Sequence, residues 1–383
     1  METSIFATKS EIREHKNPSF GNGNVHIIGL DMGYSGVKCF HENGNFVFPN
    51  YCQKIEGEIF GDLSRNDLIY EDLKSGDRYY VGALAIKSLS EDSTVAEDKI
   101  LGRNHYGHME FLIKFRTALG LARWDIPEAE PLFIQTGLPP AYIKTDEMLL
   151  RNAIQQSHDF ALISCGKRKE FHIDITAEDV DVMYQPMGTF YSVTTDQFGN
   201  LTNDLKTFRN SDLLVFDGGF KTLDKFVIQN KKLEEKDTDE NLGMKRILEE
   251  TRNIMQEDLK QKGYSVSVSL PAMQQCLKNG VVRINDRINF TVKEFPIEEY
   301  LKKANDLVCK EAFDSIKDYV FNIKYLIMTG GTGSAWYGYF KDKLKRIPTL
   351  KVISGDYNSN LPAFYANARG YYMYRLTQFK VKR

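Results

Sequence analysis

The chain has 383 residues, which exceeds what one hydrophobic core usually holds and predicts two domains. Its 42% hydrophobic and 27% charged residues are those of an ordinary soluble globular protein, and a formal net charge of -2 excludes a dedicated nucleic-acid binder, which carries a basic excess. No apolar run approaches a membrane span, the N-terminus reads as lacking a signal-peptide core, and the five scattered cysteines form no CxxC pair, so the expectation is a reduced, cytoplasmic protein with no membrane partner.

Residues 1–24 are polar, end in KNPSFGNGN, and are expected to be a flexible lead-in. Val25 to Leu30 is aliphatic and β-branched, the pattern of a buried strand, and Asp31 stands at its end. Gly33 and Gly36 are expected to supply positive φ and close backbone approach, and Val37 to His41 resumes a strand. Asp31, Gly33, Tyr34, Ser35, Gly36 and Lys38 thus share a hairpin tip, which suits a polyphosphate with its metal and equally suits an exposed glycine-rich turn.

Further along, apolar spacing predicts a helix over Asp98–Ala122, with His105 and His108 in surface or packing roles. A strand over Leu132–Gly137, a helix over Thr145–His158, strands over Glu170–Ile175 and Val180–Tyr184, and a helix from Met187 follow. TTDQFGNLTNDLK reads as a polar connector. Leu213 to Asp224 then repeats the opening grammar: an apolar strand, Asp217, Gly218, Gly219, Phe220, Lys221 and Thr222, and a second apolar strand. Two such tips can clamp a polyphosphate from opposite sides, each aspartate reaching a shared, largely hydrated Mg²⁺.

KKLEEK (231–236) reads as a solvated mixed-charge segment, and NLGMKRILEETRNIM as a helix with Asn241 at its N-cap. A helix and hairpin over Leu270–Val292 and a helix over Pro296–Tyr319 are expected next. In YLIMTGGTGSAWYGYF an apolar strand ends in Gly330, Gly331, Thr332 and Gly333 before a helical pattern, so a ligand can approach the backbone and the helix N-terminus. A tight turn with Gly331 or Gly333 left-handed explains the same glycines. GxxxxGK[ST] and GxGxxG are absent.

In order and spacing, Asp31-x-Gly-x-Ser-x-x-Lys38, Asp217-Gly-Gly-x-x-Thr222 and Gly330-Gly-Thr-Gly333 resemble the phosphate-1, phosphate-2 and adenosine motifs of the actin-like ATPase superfamily. FIQTGLP, RYYVGALA and VDVMYQPMGTFYS look like segments of its ParM-like bacterial plasmid segregation branch. The resemblance implies an α/β, actin-like (ribonuclease H-like) two-domain fold, with a nucleotide cleft between the domains and a small subdomain inserted in each. Domain I is then 25–212 with its subdomain at about 51–96, and domain II 213–345 with its subdomain at about 231–295. Residues 346–383 form a C-terminal segment whose aromatic-rich helix packs back on domain I.

For function the resemblance implies a nucleoside triphosphatase using ATP (or GTP) and Mg²⁺. Asp31 and Asp217 are its metal ligands, Lys38 its charge neutraliser, and Gln185, where ParM commonly has an acidic residue, its water-positioning group. Lys245 and Glu249, one turn apart, are carried over as contacts to the nucleotide's sugar and base, or else form a surface pair. The implied partners are further copies of the chain, head to tail in a filament, and a DNA-binding adaptor on plasmid centromere DNA, with no direct nucleic-acid contact. The runner-up is a non-polymerising small-molecule kinase of the same superfamily, disfavoured by the lack of an aspartate at the Gln185 position. A chaperone-like ATPase is disfavoured because no separate substrate-binding domain reads out of the C-terminal part.

Overall fold

A computed structural model describes residues 2–19, 25–59, 61–64, 66–88, 105–127, 129–286 and 290–381. The first half of the chain runs β1 (Glu11–Glu14), β2 (His26–Met32), β3 (Gly36–His41), β4 (Gly44–Pro49), β5 (Cys52–Lys54), β6 (Leu68–Asp72), β7 (Arg78–Val81) and α1 (Ala83–Ser88). It continues through α2 (Met109–Ala122), β8 (Leu132–Leu138), α3 (Ile143–Ile154), β9 (Ser157–Ser164), β10 (Lys167–Asp174), β11 (Val180–Tyr184), α4 (Gln185–Val193) and α5 (Asn203–Arg209). Residues 98–104 of the expected Asp98–Ala122 helix lie outside the described residues.

The second half runs β12 (Leu213–Gly218), β13 (Leu223–Gln229), β14 (Lys232–Asp239), α6 (Met244–Gln261), α7 (Leu270–Asn279), β15 (Val281–Asp286), β16 (Thr291–Pro296) and α8 (Glu298–Asp314). It ends with β17 (Tyr325–Thr329), α9 (Gly331–Leu344), β18 (Lys351–Ser354) and α10 (Ala366–Val381).

The two halves repeat one topology. In the first, the sheet order is β1-β4-β3-β2-β8-β11, with β4, β3 and β2 antiparallel and β2, β8 and β11 parallel. In the second, the order is β14-β13-β12-β17-β18, again an antiparallel meander followed by two parallel strands. Each aspartate–glycine unit occupies the same place in its sheet: β2 and β12 each lie between an antiparallel and a parallel neighbour and are buried almost throughout, which demands the continuous apolar runs there. The chain enters the smaller sheet of domain I twice: β5, β6 and β7 pair with the later hairpin β9–β10, in the order β10-β9-β6-β7-β5.

Where local reading and structure differ, tertiary contact is the reason. The N-terminal segment is not a free lead-in: β1 pairs antiparallel with β4, from Glu11↔Val47 to Glu14↔Gly44, and Thr3 Oγ1 donates to Leu277 O on α7 at 2.7 Å. Of the expected lead-in, residues 1 and 20–24 lie outside the described residues. KKLEEK falls largely in β14, whose exposed charges suit a sheet edge. The polar connector ends in the first turn of α5, N-capped by Thr202, rather than staying irregular throughout. Asn241 is not the cap of α6. Gly243 takes that position, and the helix's first amides donate to loop carbonyls, Lys245 N–H to Phe220 O at 2.7 Å and Met244 N–H to Gly219 O at 3.3 Å. A side chain at 243 would lie 2.5 Å from Phe220 O.

His158, expected at the end of a helix, starts β9 instead and joins a buried polar network. Its Nδ1 accepts from Arg116 Nε (3.1 Å) and its Nε2 donates to Ile154 O (2.8 Å), while Arg116 also donates to Tyr70 Oη and Asp72 Oδ2. The network joins α2 and α3 to the smaller sheet. Burial, helped by the Arg116 charge, lowers the His158 pKa from 6.5 to about 4. The folded state therefore resists a proton that the unfolded chain accepts. The His158 contribution to stability is expected to be full above pH 6.5 and to fall by about 3 kcal/mol as pH drops to 4, opposite in sign to that of Asp217. Urea unfolding of wild type and His158→Gln across that range checks this, the difference between their stabilities being expected to change by about that amount from pH 6.5 to pH 4.

Candidate functional site between the two domains

The duplicated hairpins set equivalent registers: Asp31 faces Lys38 across β2–β3, and Asp217 faces Asp224 across β12–β13. The same position thus holds a cation in one half and a second carboxylate in the other. Lys38 Nζ donates to Asp31 Oδ2 at 2.9 Å, with Asp31 buried. Asp217 is also buried, and its pKa rises to about 6, mainly through burial. The Asp31 charge pushes it further up, while a hydrogen bond from Asn367 and the charge of Lys38 act against the rise. Asp224 accepts from Thr238 Oγ1 (2.7 Å) and is itself pushed well up by burial and by Asp217.

Both aspartates open onto one cleft of about 430 Å³. From the first tip it is lined by Asp31, Gly33, Tyr34, Ser35, Gly36 and Lys38, and from the second by Asp217, Gly219, Phe220 and Thr222. Gly33 and Gly36 do not use positive φ. Gly33 is held by crowding instead, since a side chain there would lie 3.0 Å from Gly36 O and 3.1 Å from Lys38 Nζ. Asn50 Nδ2 donates to Gly33 O at 2.9 Å and fixes the tip.

Opposite, β17 passes into α9 through Gly330, the glycine of this turn that is left-handed (φ 80°), and a side chain there would meet Asp217 Oδ1 at 2.5 Å. Gly330, Gly331 and Thr332 bring the helix N-terminus and its unpaired amides to the cleft, a setting suited to anionic oxygens. Gly218 and Gly333 do not line it. They let β12 and α9 touch, since a side chain on Gly218 would lie 2.6 Å from Gly333 N.

Gln185, the first residue of α4, lines the cleft. Lys245 and Glu249 do not: they form a 3.5 Å ion pair on α6, and Met244 is the residue of that helix facing the cleft. Lys221 is also outside the lining and lies 5.0 Å from the centre of the Tyr34 ring, bridging the two tips.

Sequence reading missed several neighbours. Asn367 on α10 lines the cleft, donates to Asp217 Oδ2 at 2.6 Å and accepts from Thr189 Oγ1 at 2.8 Å, so it ties the second aspartate to the helix that begins at Gln185. Tyr371, one turn later, buries its hydroxyl beside Gly137 with no hydrogen-bond partner among the described residues. The small residues of ANARG were the available signal, marking a close helix crossing.

Among the described residues no group of three or more His, Cys, Asp or Glu could hold a metal ion. Two carboxylates facing one cleft fit a divalent ion that keeps most of its water and takes its other ligands from phosphate.

Residues 29–188 match the family model for the actin like proteins N terminal domain. A non-polymerisable quadruple mutant of pCBH ParM superposes at a TM-score of 0.70 and 19% identity, covering 94% of this chain and 100% of that one. The chain has an actin-like fold. The actin-like frame extends to a 15-stranded ParM filament from Clostridium botulinum, at TM-score 0.67 and 18% identity over 93% of this chain and 100% of that one. It extends also to Ta0583, an archaeal actin homolog, in a complex with ADP, at TM-score 0.57 and 16% identity over 92% and 99%. No curated protein matches the chain. No helix among the described residues is long and apolar enough to cross a membrane.

Proposed function

We propose that this actin-like chain is a nucleoside triphosphatase that assembles head to tail on binding ATP (or GTP) with Mg²⁺, disassembles after hydrolysis, and moves plasmid DNA through a DNA-binding adaptor. One observation carries the reading: Asp31 and Asp217, on equivalent hairpins of two domains, face each other across a single cleft closely enough for one charge to raise the other's pKa.

Asp31 and Asp217 would hold Mg²⁺ through its water, and the ion would supply charge neutralisation on the phosphates. Lys38, already held against Asp31, is placed to take up charge developing on phosphate oxygens. The amides of the tips and of the α9 N-terminus hold the phosphates. Gln185 orients a water without accepting its proton, since an amide is not a base at neutral pH. Tyr142 Oη donates to the Glu240 carboxylate and Ala141 N–H to Thr238 Oγ1 (3.3 Å), so the two halves of the chain also meet outside the cleft lining. Losing the γ-phosphate removes a link between the tips and favours opening. A head-to-tail contact that does not close on itself propagates into a filament. The 15-stranded ParM filament, a structure of similar fold, supports that step by analogy.

Sedimentation with and without ATP or GTP and Mg²⁺ is the test. Wild type is expected to pellet with nucleotide, and Asp217→Ala to stay in the supernatant. Gln185→Ala is expected to pellet normally while hydrolysis slows on the order of 100-fold, the low end of what a positioned catalytic group contributes. A chain that remains monomeric at high concentration with nucleotide, and whose turnover rises with an added small-molecule acceptor, would instead be the kinase.

A further inference from the structure

The chain N-terminal to β1 crosses the cleft. β1 fixes its start on domain I through the ladder to β4 and through Tyr365 Oη, which donates to Glu11 Oε1 at 3.1 Å. From there Thr8 passes the first hairpin tip, its Cγ2 lying 3.6 Å from where a Gly36 side chain would begin. Both the N–H and Oγ1 of Thr8 donate to Gln274 Oε1 on α7, at 3.0 and 3.2 Å, and Thr3 Oγ1 reaches Leu277 O one turn on. Between these anchors Phe6 is buried in an apolar cluster that holds Met244 and Trp336 of domain II together with Tyr51, Ala85 and Ile86. Lys9 Nζ donates back to Ser4 O at 2.9 Å and closes the span on itself.

Residues 5–9 line the same cleft as the two aspartates, together with Met244, Ser334 and Ala335. The cleft therefore has a polar stretch, built from Asp31, Lys38, Asp217 and the glycine tips, and an apolar stretch built from Ile5, Phe6, Ala7, Met244 and Ala335. A polyphosphate belongs to the first. A flat aromatic base belongs to the second, which supplies apolar and aromatic surface with few polar groups.

We propose that residues 3–9 are a strap that forms one wall of the nucleoside end of the cleft and retains a bound nucleoside triphosphate until it lifts from α7. This rests on the nucleotide reading of the cleft. A segment tied to both domains must release one end before the cleft can open. The α7 end is the releasable one, because it holds by three side-chain hydrogen bonds and one aromatic ring, whereas the other end is a sheet ladder. The strap makes domain separation and loss of nucleotide a single event.

The test uses the full chain loaded with a fluorescent N-methylanthraniloyl ATP and Mg²⁺, chased with excess ATP in a stopped-flow instrument. Gln274→Ala removes the Thr8 anchor without touching the lining, and deletion of residues 2–9 removes the strap. Release at least tenfold faster in Gln274→Ala is the expected result, and where the deletion folds it should match or exceed that. Hydrogen exchange on the nucleotide-free chain reads the strap independently: residues 3–9 protected in wild type, and faster exchange at 3–9 and 331–335 in Gln274→Ala. Release within twofold of wild type, once exchange shows residues 3–9 freed, overturns the proposal; so does a wild-type strap with no protection. Should wild type bind no nucleotide, the nucleotide reading falls by itself. Exchange at 331–335 then supports the strap as a cover of the cleft if it rises in Gln274→Ala, and overturns it if it does not change.

Discussion

Asp217→Asn should stop hydrolysis and, in the nucleotide-free chain, raise the free energy of unfolding. Asp217 carries a pKa of about 6 against an ordinary 3.8, chiefly because burial strips its water and Asp31 stands nearby. The folded state thus holds this proton more tightly than the unfolded state does. Ionising the group at neutral pH costs stability, by about 3 kcal/mol for two pKa units. The cost is absent below pH 3.8 and grows as pH rises through 6. An amide removes the charge and keeps an acceptor for Asn367. At pH 7, Asp217→Asn is expected to unfold at higher urea than wild type, with the advantage shrinking toward pH 4. Equal stability at both pH values would mean that the carboxylate is not crowded, and the two-tip clamp would lose its electrostatic footing. The register explains why the cost falls on this side: Lys38 is hydrogen-bonded to Asp31, while Asp217 meets Asp224 and gains less from Asn367 and Lys38 than burial takes away.

What could be read from sequence was what is decided locally. A strand, an aspartate, glycines and a lysine within a dozen residues specify a hairpin whose tip geometry depends on near neighbours, and both tips formed. The glycines were legible as necessary but not for the right reason: Gly33 answers to crowding by Lys38 and Gly36 rather than to positive φ. Asn367 was out of reach because its partner Asp217 is 150 positions away, and the Thr8–Gln274 anchor spans 266. Neither pairing leaves a periodicity in the chain. Lys245 and Glu249, read either as nucleotide contacts or as a surface pair, are a third case. They came from resemblance, and the rotation of α6, set by burying Met244, Ile247, Leu248 and Thr251, turns them into a surface ion pair.

The crossing of α4 and α10 gives the other large effect. α4 and α10 cross where Gly188 meets Gly370, and a side chain placed on Gly370 would lie 1.6 Å from Gly188 O. The obstacle is backbone, so no rotamer change relieves it and the helices must part by more than an ångström. Gly370→Ala is therefore expected to destabilise the chain by about 3 kcal/mol, the upper end for overpacking. A fair control is Gly338→Ala on α9, where a side chain meets nothing within 4 Å. That change should be stabilising by roughly 0.5–1 kcal/mol, since alanine is the better helix former. The crossing also sits between Thr189 and Asn367, whose hydrogen bond links α4 to Asp217. Parting the helices should pull Asn367 from Asp217 and weaken Mg²⁺-nucleotide binding even at temperatures where Gly370→Ala remains folded. Urea unfolding and nucleotide titration of the two alanine variants side by side separate the effects. If Gly370→Ala were less stable yet bound nucleotide like the control, the crossing would be a packing device alone, and Asn367 would not carry its position to the site.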